Sequence, residues 1–125
     1  MSDDSRPWPG YREIPERLDL AREALDRPVE RGLGERAALI HEGGQLTYGE
    51  LARRVDRCAG GLERLGLERG ERVLVRMPNS PEFAIAFLAL VRLGALPVLT
   101  NSLLTGAEVA YVVGQAEPRL VLTAA

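Results

Sequence analysis

The sequence is poor in the side chains that carry most catalytic and metal-binding chemistry. Its 125 residues include one cysteine and one histidine, and aromatic residues make up only 5% of the chain. Cys58 cannot form an intramolecular disulfide, and its place on the apolar face of a predicted helix indicates a buried small hydrophobe. His41 falls in a predicted hairpin strand, where a structural or exposed role is more common than catalysis. The sequence offers no Cys/His cluster to bind zinc.

Several motifs of catalysis and phosphate binding are also missing. No serine is framed as Gly-x-Ser-x-Gly, and no pair of carboxylates lies in an apolar frame. No strand is followed by Gly-x-Gly-x-x-Gly or by a Gly-Lys-Ser/Thr loop. An independent nucleotide-binding module therefore has little support.

Charge and long apolar runs are scarce as well. The net charge is −2 and both signs are mixed along the chain, so we expect no nucleic-acid partner. The acidic start Met1–Asp4 is followed by no apolar region, which argues against a secretory signal. The longest apolar run, Phe83–Val91, is too short to span a bilayer. We expect a cytoplasmic protein with no membrane partner.

What is present predicts a globular α/β chain. Apolar residues make up 46% and charged residues 27%, which suits one domain with a real core. The Pro- and Gly-containing residues 1–17 are predicted to form an N-terminal arm. Residues 18–125 are predicted to form an incomplete N-terminal α/β subdomain.

The apolar periodicity alternates between strands and helices. Leu20, Ala21, Ala24, Leu25 and Val29 share one helical face, and Pro28 is expected to kink or end that helix. Further helices are predicted to start at caps and to present apolar stripes, and short strands are predicted between them. The predicted strands are 37–41, 45–47, 72–76, 97–100 and 120–122, with a Gly43-Gly44 turn in the first pair.

The predicted helices have recognisable starts. Thr47-x-x-Glu50 and Thr105-x-x-Glu108 are capping boxes, and Asn79 or Ser80 is expected to cap the helix between them. Gly60-Gly61 weakens the first of these helices, which suggests close packing of its backbone against a sheet. The order of elements predicts a partial doubly wound parallel sheet with right-handed crossovers.

Candidate binding residues lie where these strands end. Ligands of open parallel sheets gather at the carboxyl ends of the strands, which here are 78–80, 100–102 and 123–125. Asn79 and Ser80 are explained as helix caps. Asn101 and Ser102 are less well explained, because Thr105 already caps the next helix, and they are the predicted substrate-binding residues. A loop-stabilising Asx or Ser turn is the alternative for them.

The order and spacing of several short pieces resemble one enzyme family. The pieces are Leu46–Leu51, Leu65–Leu67 with Gly70–Val73, Pro78–Phe83 with Ala86–Ala89, Gly94-Ala95 and Asn101. Together they are similar to the N-terminal part of the adenylate-forming (AMP-dependent) acyl-CoA synthetases and ligases. The string Asn101–Thr105 and the arm Tyr11–Asp19 are most similar to the benzoate- and aminobenzoate-CoA ligase branch.

The resemblance implies a two-step reaction. Such enzymes activate a carboxylate with ATP and magnesium to an acyl-adenylate and then pass the acyl group to coenzyme A. The family uses a Ser/Thr/Gly-rich phosphate loop ending in Lys, an acidic ribose ligand and a late lysine on a mobile C-terminal domain, none of which is in this sequence. We therefore expect this chain alone to bind none of these cofactors and to be inactive. Leu103 also departs from relatives that place a basic residue there for the coenzyme A phosphates.

Three hypotheses remain open. The first is a fragment of an AMP-forming acid–CoA ligase acting on an aromatic acid, whose partner is the remainder of the ligase domain. The second is a stand-alone α/β interaction module that pairs with a separately encoded ligase remainder. The third is an unrelated flavodoxin-like binding domain, although the neutral strand ends give it little support.

Overall fold

The computed structural model describes residues 14–124 of the chain. The strands are β1 Ala37–His41, β2 Gly44–Thr47, β3 Arg72–Arg76, β4 Leu96–Thr100 and β5 Leu120–Thr123. The helices are α1 Arg27–Glu30, α2 Tyr48–Arg64, α3 Pro81–Arg92 and α4 Gly106–Ala116, and a π-helical turn, Arg22–Asp26, precedes α1. Most of the predicted arm, residues 1–17, lies outside the described residues, so the boundary between arm and subdomain stays a prediction.

A three-stranded parallel sheet forms the centre of the fold. The strand order is β4-β3-β5, and β3 pairs in parallel with both neighbours. The middle residues of β3, Val73, Leu74 and Val75, are completely buried, as expected of a parallel strand covered on both faces. The predicted α/β class with a partial parallel sheet is therefore confirmed.

The first two strands form a separate antiparallel hairpin. β2 pairs with β1 and does not join the parallel sheet. Because His41 lies opposite Gly44, the two turn residues are Glu42 and Gly43, and the predicted turn at Gly43-Gly44 is wrong by one residue. Gly44, the first residue of β2, has a φ of +134°, a conformation that L side chains rarely adopt, so glycine suits this position.

Helices cover both faces of the sheet. One face carries a layer built from α2 and α3, whose buried residues pack with Val73 and Val75; they are Leu51, Val55, Ala59, Leu62, Ala86, Ala89 and Leu90. Leu74 points to the opposite face, since side chains alternate along a strand. The side chain of Arg72 donates to the last residue of α4, and that of Arg76 donates to the loop just before α4; both arginines share the face of Leu74. The sheet is thus doubly wound.

The helical segment before β1 differs from the sequence prediction. Ala21 and Leu25 are buried, but Leu20 and Val29 are 43% and 40% exposed, so their predicted place on the core face is wrong. Leu20 and Val29 lie outside the π-helical turn, one on each side of it, whereas Ala21 and Leu25 keep a common buried face across it. Pro28 lies in the first turn of α1, where its missing N–H costs nothing, and α1 ends at Glu30.

A charged side chain ties this segment to the core layer. Arg92, the last residue of α3, lies 2.9 Å from the carboxylate of Asp26 and 3.1 Å from that of Asp56 in α2. The side chains of Arg92 and Asp26 are about one quarter and one third exposed, so this pair is less screened than pairs on the open surface, whereas Asp56 is mostly exposed. Arg92 therefore holds three helical segments in one arrangement.

The predicted helix caps are confirmed. The Thr47 and Thr105 hydroxyls accept hydrogen bonds from the N–H groups of Glu50 and Glu108, at 3.1 and 3.3 Å. Each glutamate carboxylate in turn accepts from the backbone N–H of its threonine, at 2.9 and 2.7 Å. Between the two boxes Ser80 caps α3 by accepting from the N–H of Phe83, which decides between the two residues that the sequence offered.

Candidate functional site

A small cleft lies at the carboxyl end of the parallel sheet. It has a volume of about 250 Å³ and is lined by Met77, Asn79, Phe83, Asn101 and Ser102. The predicted site residues Asn101 and Ser102 thus lie beside Asn79 at one edge, as the shared strand polarity requires. Residues 123 and 124, the described part of the third strand end singled out in the sequence, do not line this cleft.

A larger cleft of about 490 Å³ adjoins the first. Its walls come from β1 and from the first turn of α3, and Asn79 and Phe83 line both clefts. His41 stands on its rim, where its Nδ1 accepts a hydrogen bond from the N–H of Gly43 at 3.2 Å. In the neutral ring this bond leaves the proton on Nε2. His41 therefore has a local structural partner in the hairpin turn.

The side chain of Asn101 is engaged in the loop that carries it. Its Oδ1 accepts from the N–H of Leu103 at 2.9 Å, and its main-chain carbonyl accepts from the N–H of Leu104 at 3.2 Å. This is the Asx turn that the sequence offered as the alternative to a ligand role. The amide nitrogen of Asn101 keeps its donor capacity, and within residues 14–124 the hydroxyl of Ser102 makes no hydrogen bond. Leu103 is 86% exposed.

An arginine that was not among the predicted site residues binds this loop from the neighbouring strand β3. Arg76, the last residue of β3, uses one terminal nitrogen, Nη2, to donate to the carbonyl oxygens of Ser102 and Leu104, at 2.9 and 3.0 Å. Its Nε is buried and finds no partner among the described residues. The signal available in the sequence was only its position at the carboxyl end of a buried strand.

The electrostatics of the small cleft are neutral. All five residues that line it are uncharged, whereas the perturbed carboxyl groups belong to the helix caps. The pKa values of Glu50 and Glu108 are lowered, mainly by hydrogen bonds from the backbone N–H groups of Thr47 and Thr105. Burial raises the pKa of the Cys58 thiol. The arrangement suits a neutral or apolar ligand group, with no acid–base pair in the cleft.

Two features are absent from the described part of the chain, a cluster of potential metal ligands and a helix that could cross a membrane. Residues 14–124 contain no group of three His, Cys, Asp or Glu side chains that could hold a metal ion. Within the same residues no helix is both long enough and apolar enough to cross a bilayer. The expectation that this chain alone binds no cofactor stays a prediction.

Comparison with known proteins identifies the class to which this fold and edge cleft belong. The family described as AMP-binding enzyme matches residues 25–125. The acetyl-coenzyme A synthetase of Deinococcus radiodurans is 41% identical over 111 residues, covering 85% of this chain and 17% of that protein. The benzoate–CoA ligase of Thauera aromatica is 33% identical over 123 residues, covering 98% of this chain and 23% of that protein.

A solved structure agrees with these relatives. The benzoate CoA ligase from Burkholderia xenovorans LB400 superimposes with a TM-score of 0.78 and 31% identity, over 84% of this chain and 21% of that one. The chain belongs to the AMP-binding enzyme family. It spans about a fifth of the length of the relatives that it matches. The resemblance predicted from the sequence is confirmed, and the unrelated flavodoxin-like domain is excluded.

Proposed function

We propose that this chain is the amino-terminal part of an AMP-forming acid–CoA ligase that acts on an aromatic carboxylic acid. The match over residues 25–125 together with the ligase-like sheet carries this proposal. The whole reaction would join the acid to AMP at the expense of ATP, release pyrophosphate, and then transfer the acyl group to the thiol of coenzyme A. ATP, Mg²⁺ and coenzyme A are the cofactors of that whole reaction, and a cytoplasmic location is part of the proposal.

The aromatic substrate class rests on one branch of the relatives. The benzoate–CoA ligase covers nearly the whole chain, and a second benzoate CoA ligase supplies a close structural match. A higher identity belongs to an acetyl-coenzyme A synthetase, although it covers less of the chain. The string Asn101–Thr105, which resembles the benzoate branch, favours the aromatic acid.

The contribution of this chain would be structural support and one wall of the ligand channel. Asn101 Nδ2 and the Ser102 hydroxyl offer neutral hydrogen bonds at the small cleft, beside the apolar Met77 and Phe83. Such a wall suits an acyl group or the uncharged portion of coenzyme A. The phosphate-binding and lysine-bearing motifs that the family uses would come from the remainder of the ligase.

The partner of the chain would be that remainder, whether it is joined in the same polypeptide or encoded separately. A separately encoded remainder would make this chain an interaction module, and the sheet offers a place for the remainder to attach in either arrangement. Both outer strands of the three-stranded sheet, β4 and β5, have an edge without a strand neighbour among residues 14–124. An unpaired edge is a place where another strand can add.

A chimeric ligase tests the proposed function. The segment of the Thauera benzoate–CoA ligase that aligns with this chain is replaced by this chain, and benzoate-dependent ATP–pyrophosphate exchange is measured. We expect exchange by the chimera and none by the 125-residue chain alone, because positioned phosphate contacts supply most of such catalysis. A chimera that folds like the parent enzyme but shows no exchange with any aromatic acid would refute the proposal.

The same chimera tests the proposed ligand role of Asn101 and Ser102. Asn101→Ala and Ser102→Ala should raise the KM for benzoate or for coenzyme A. Tyr111→Ala is the matched control, because this exposed residue of α4 lines neither cleft. Equal kinetics for all three variants would leave Asn101 and Ser102 as turn residues only.

A further inference from the structure

Two arginines at opposite ends of β3 attach α4 to the sheet. Arg72 and Arg76 project from the same face as Leu74, because side chains alternate along a strand. Arg72 donates through Nε to the carbonyl of Ala116, the last residue of α4. Arg76 donates to the carbonyls of Ser102 and Leu104, which lie in the loop just before α4.

Apolar packing holds α4 only weakly. No residue of α4 is fully buried, whereas α2 and α3 bury four and three residues. Along the described chain α4 makes few close contacts with any other element. The polar bonds from the central strand are therefore a large part of what fixes α4 and the loop that precedes it.

We propose that Arg76 is a positioning residue for the small cleft, setting the placement of Asn101 and Ser102 without itself touching a ligand. Within the loop, the hydrogen bonds from the N–H groups of Leu103 and Leu104 both end on Asn101. They shape the turn, which follows β4 directly along the chain, but they do not tie it to the central strand β3. The side-chain link from the turn to β3 comes from the guanidinium, through two charge-assisted bonds that are stronger than neutral ones.

The chemistry of the side chain makes this role testable. A lysine at position 76 keeps a positive donor of similar length, but it replaces the rigid planar fork by a flexible ammonium. It can approach the same carbonyls with less geometric control. A methionine fills similar space and donates nothing. Arg76→Lys should therefore retain part of the anchoring and Arg76→Met none of it.

The experiment is residue-resolved amide hydrogen exchange on the full 125-residue chain. In Arg76→Met the amides of Leu103 and Leu104 should exchange about tenfold faster or more, the ratio that loss of a charge-assisted anchor corresponds to. Arg76→Lys should restore part of the protection. The amide of Leu67, which donates to the carbonyl of Leu62 at the end of α2, should be unchanged.

Arg72→Met is the matched control. It removes an arginine from the same strand and the same face, but this arginine binds the last residue of α4 and not the loop before the helix. It should leave the amides of Leu103 and Leu104 unchanged. Unchanged loop exchange in Arg76→Met would overturn the proposal, and so would equal effects of the two arginine variants. A uniform increase that includes Leu67 would make Arg76 a general stabiliser and overturn it too. The proposal would also be overturned if the amides of Leu103 and Leu104 were already unprotected in the wild-type chain.

The proposal rests on the proposed function only for the identity of the ligand at the cleft. The exchange measurement needs no ligand and no activity. A chimera without ATP–pyrophosphate exchange would therefore reject the ligase function and leave the result on Arg76 standing. Failure of the loop exchange to respond would reject the role of Arg76 and leave the ligase function untouched.

Discussion

At the scale of single residues, Gly60 and Gly61 show where sequence reasoning failed. Two adjacent glycines inside a helix suggested that the helix backbone lies close against a sheet. A Cβ added at Gly61 would meet nothing within 4 Å, and one at Gly60 would approach only the end of the flexible Arg64 side chain, at 3.9 Å. The interpretation is wrong, since both positions of α2 have room for a side chain.

Gly61→Ala should consequently stabilise the chain by roughly 1 kcal/mol, because alanine loses less backbone entropy than glycine in a helix. Denaturant unfolding of the two proteins measures the difference. Gly66→Ala is the control, since Gly66 ends α2 with a φ of +86° and alanine there is strained and should destabilise. A lower denaturation midpoint for Gly61→Ala than for the wild-type chain would contradict the conclusion that this position has room for a side chain.

The residues of the small cleft divide into those that the sequence could reveal and those that it could not. Asn101 and Ser102 follow strand β4, and the shared polarity of β3 and β4 alone places them near Asn79. Arg76 is separated from Ser102 by 26 positions along the chain, and its contact depends on the path of the loop in space. Phe83 lies in the first turn of α3, where an apolar residue indicates core as readily as a cleft wall.

At the scale of elements, local rules account for most of the helices and strands. Capping boxes fixed the starts of α2 and α4, and short apolar runs placed β3 and β5 within a residue of their observed ends. The π-helical turn at Arg22–Asp26 escaped prediction because it has no sequence signature comparable to a cap. The separation of the β1–β2 hairpin from the parallel sheet also escaped, because it depends on tertiary packing.

Each of the two capping boxes should contribute measurably to the free energy of unfolding. Thr47→Ala and Thr105→Ala should each lower the free energy of unfolding by about 0.5–2 kcal/mol, because each removes the acceptor for a first-turn N–H. Denaturant melts at neutral pH measure the loss. Thr123→Ala is the control, since that hydroxyl lies at the end of β5 and caps no helix. Unchanged midpoints for both cap variants would refute the assignment.

The two capping boxes should also make the stability of the chain depend on pH, which gives a second test of the capping assignment. The pKa values of Glu50 and Glu108 are lower in the folded chain, so their contribution is present above the unfolded value of about 4.3. It is lost as the pH falls through the folded pKa. Glu50→Gln should therefore lose less stability than the wild-type chain on acidification from pH 5 to pH 3.

At the scale of the whole molecule, apolar surface is covered on some elements and exposed on others. The apolar helix α3 is covered by α2 and by strands β3 and β4. Exposed apolar side chains occur before β2 and again around β4, α4 and β5, where Leu96 and Val121 are each 51% exposed. An unpaired sheet edge beside exposed apolar side chains is a liability for association.

This surface is the reason that a chain spanning about a fifth of its relatives should behave as one part of a larger domain. The most direct test combines size-exclusion chromatography and thermal melting of the 125-residue chain, with and without the remaining segment of the Thauera benzoate–CoA ligase. We expect self-association and a broad transition for the chain alone. Added segment should give a defined complex and a higher Tm, since binding to the folded state stabilises it by mass action. A monodisperse chain with a sharp cooperative transition and no response to the segment would contradict the account and favour an independent module.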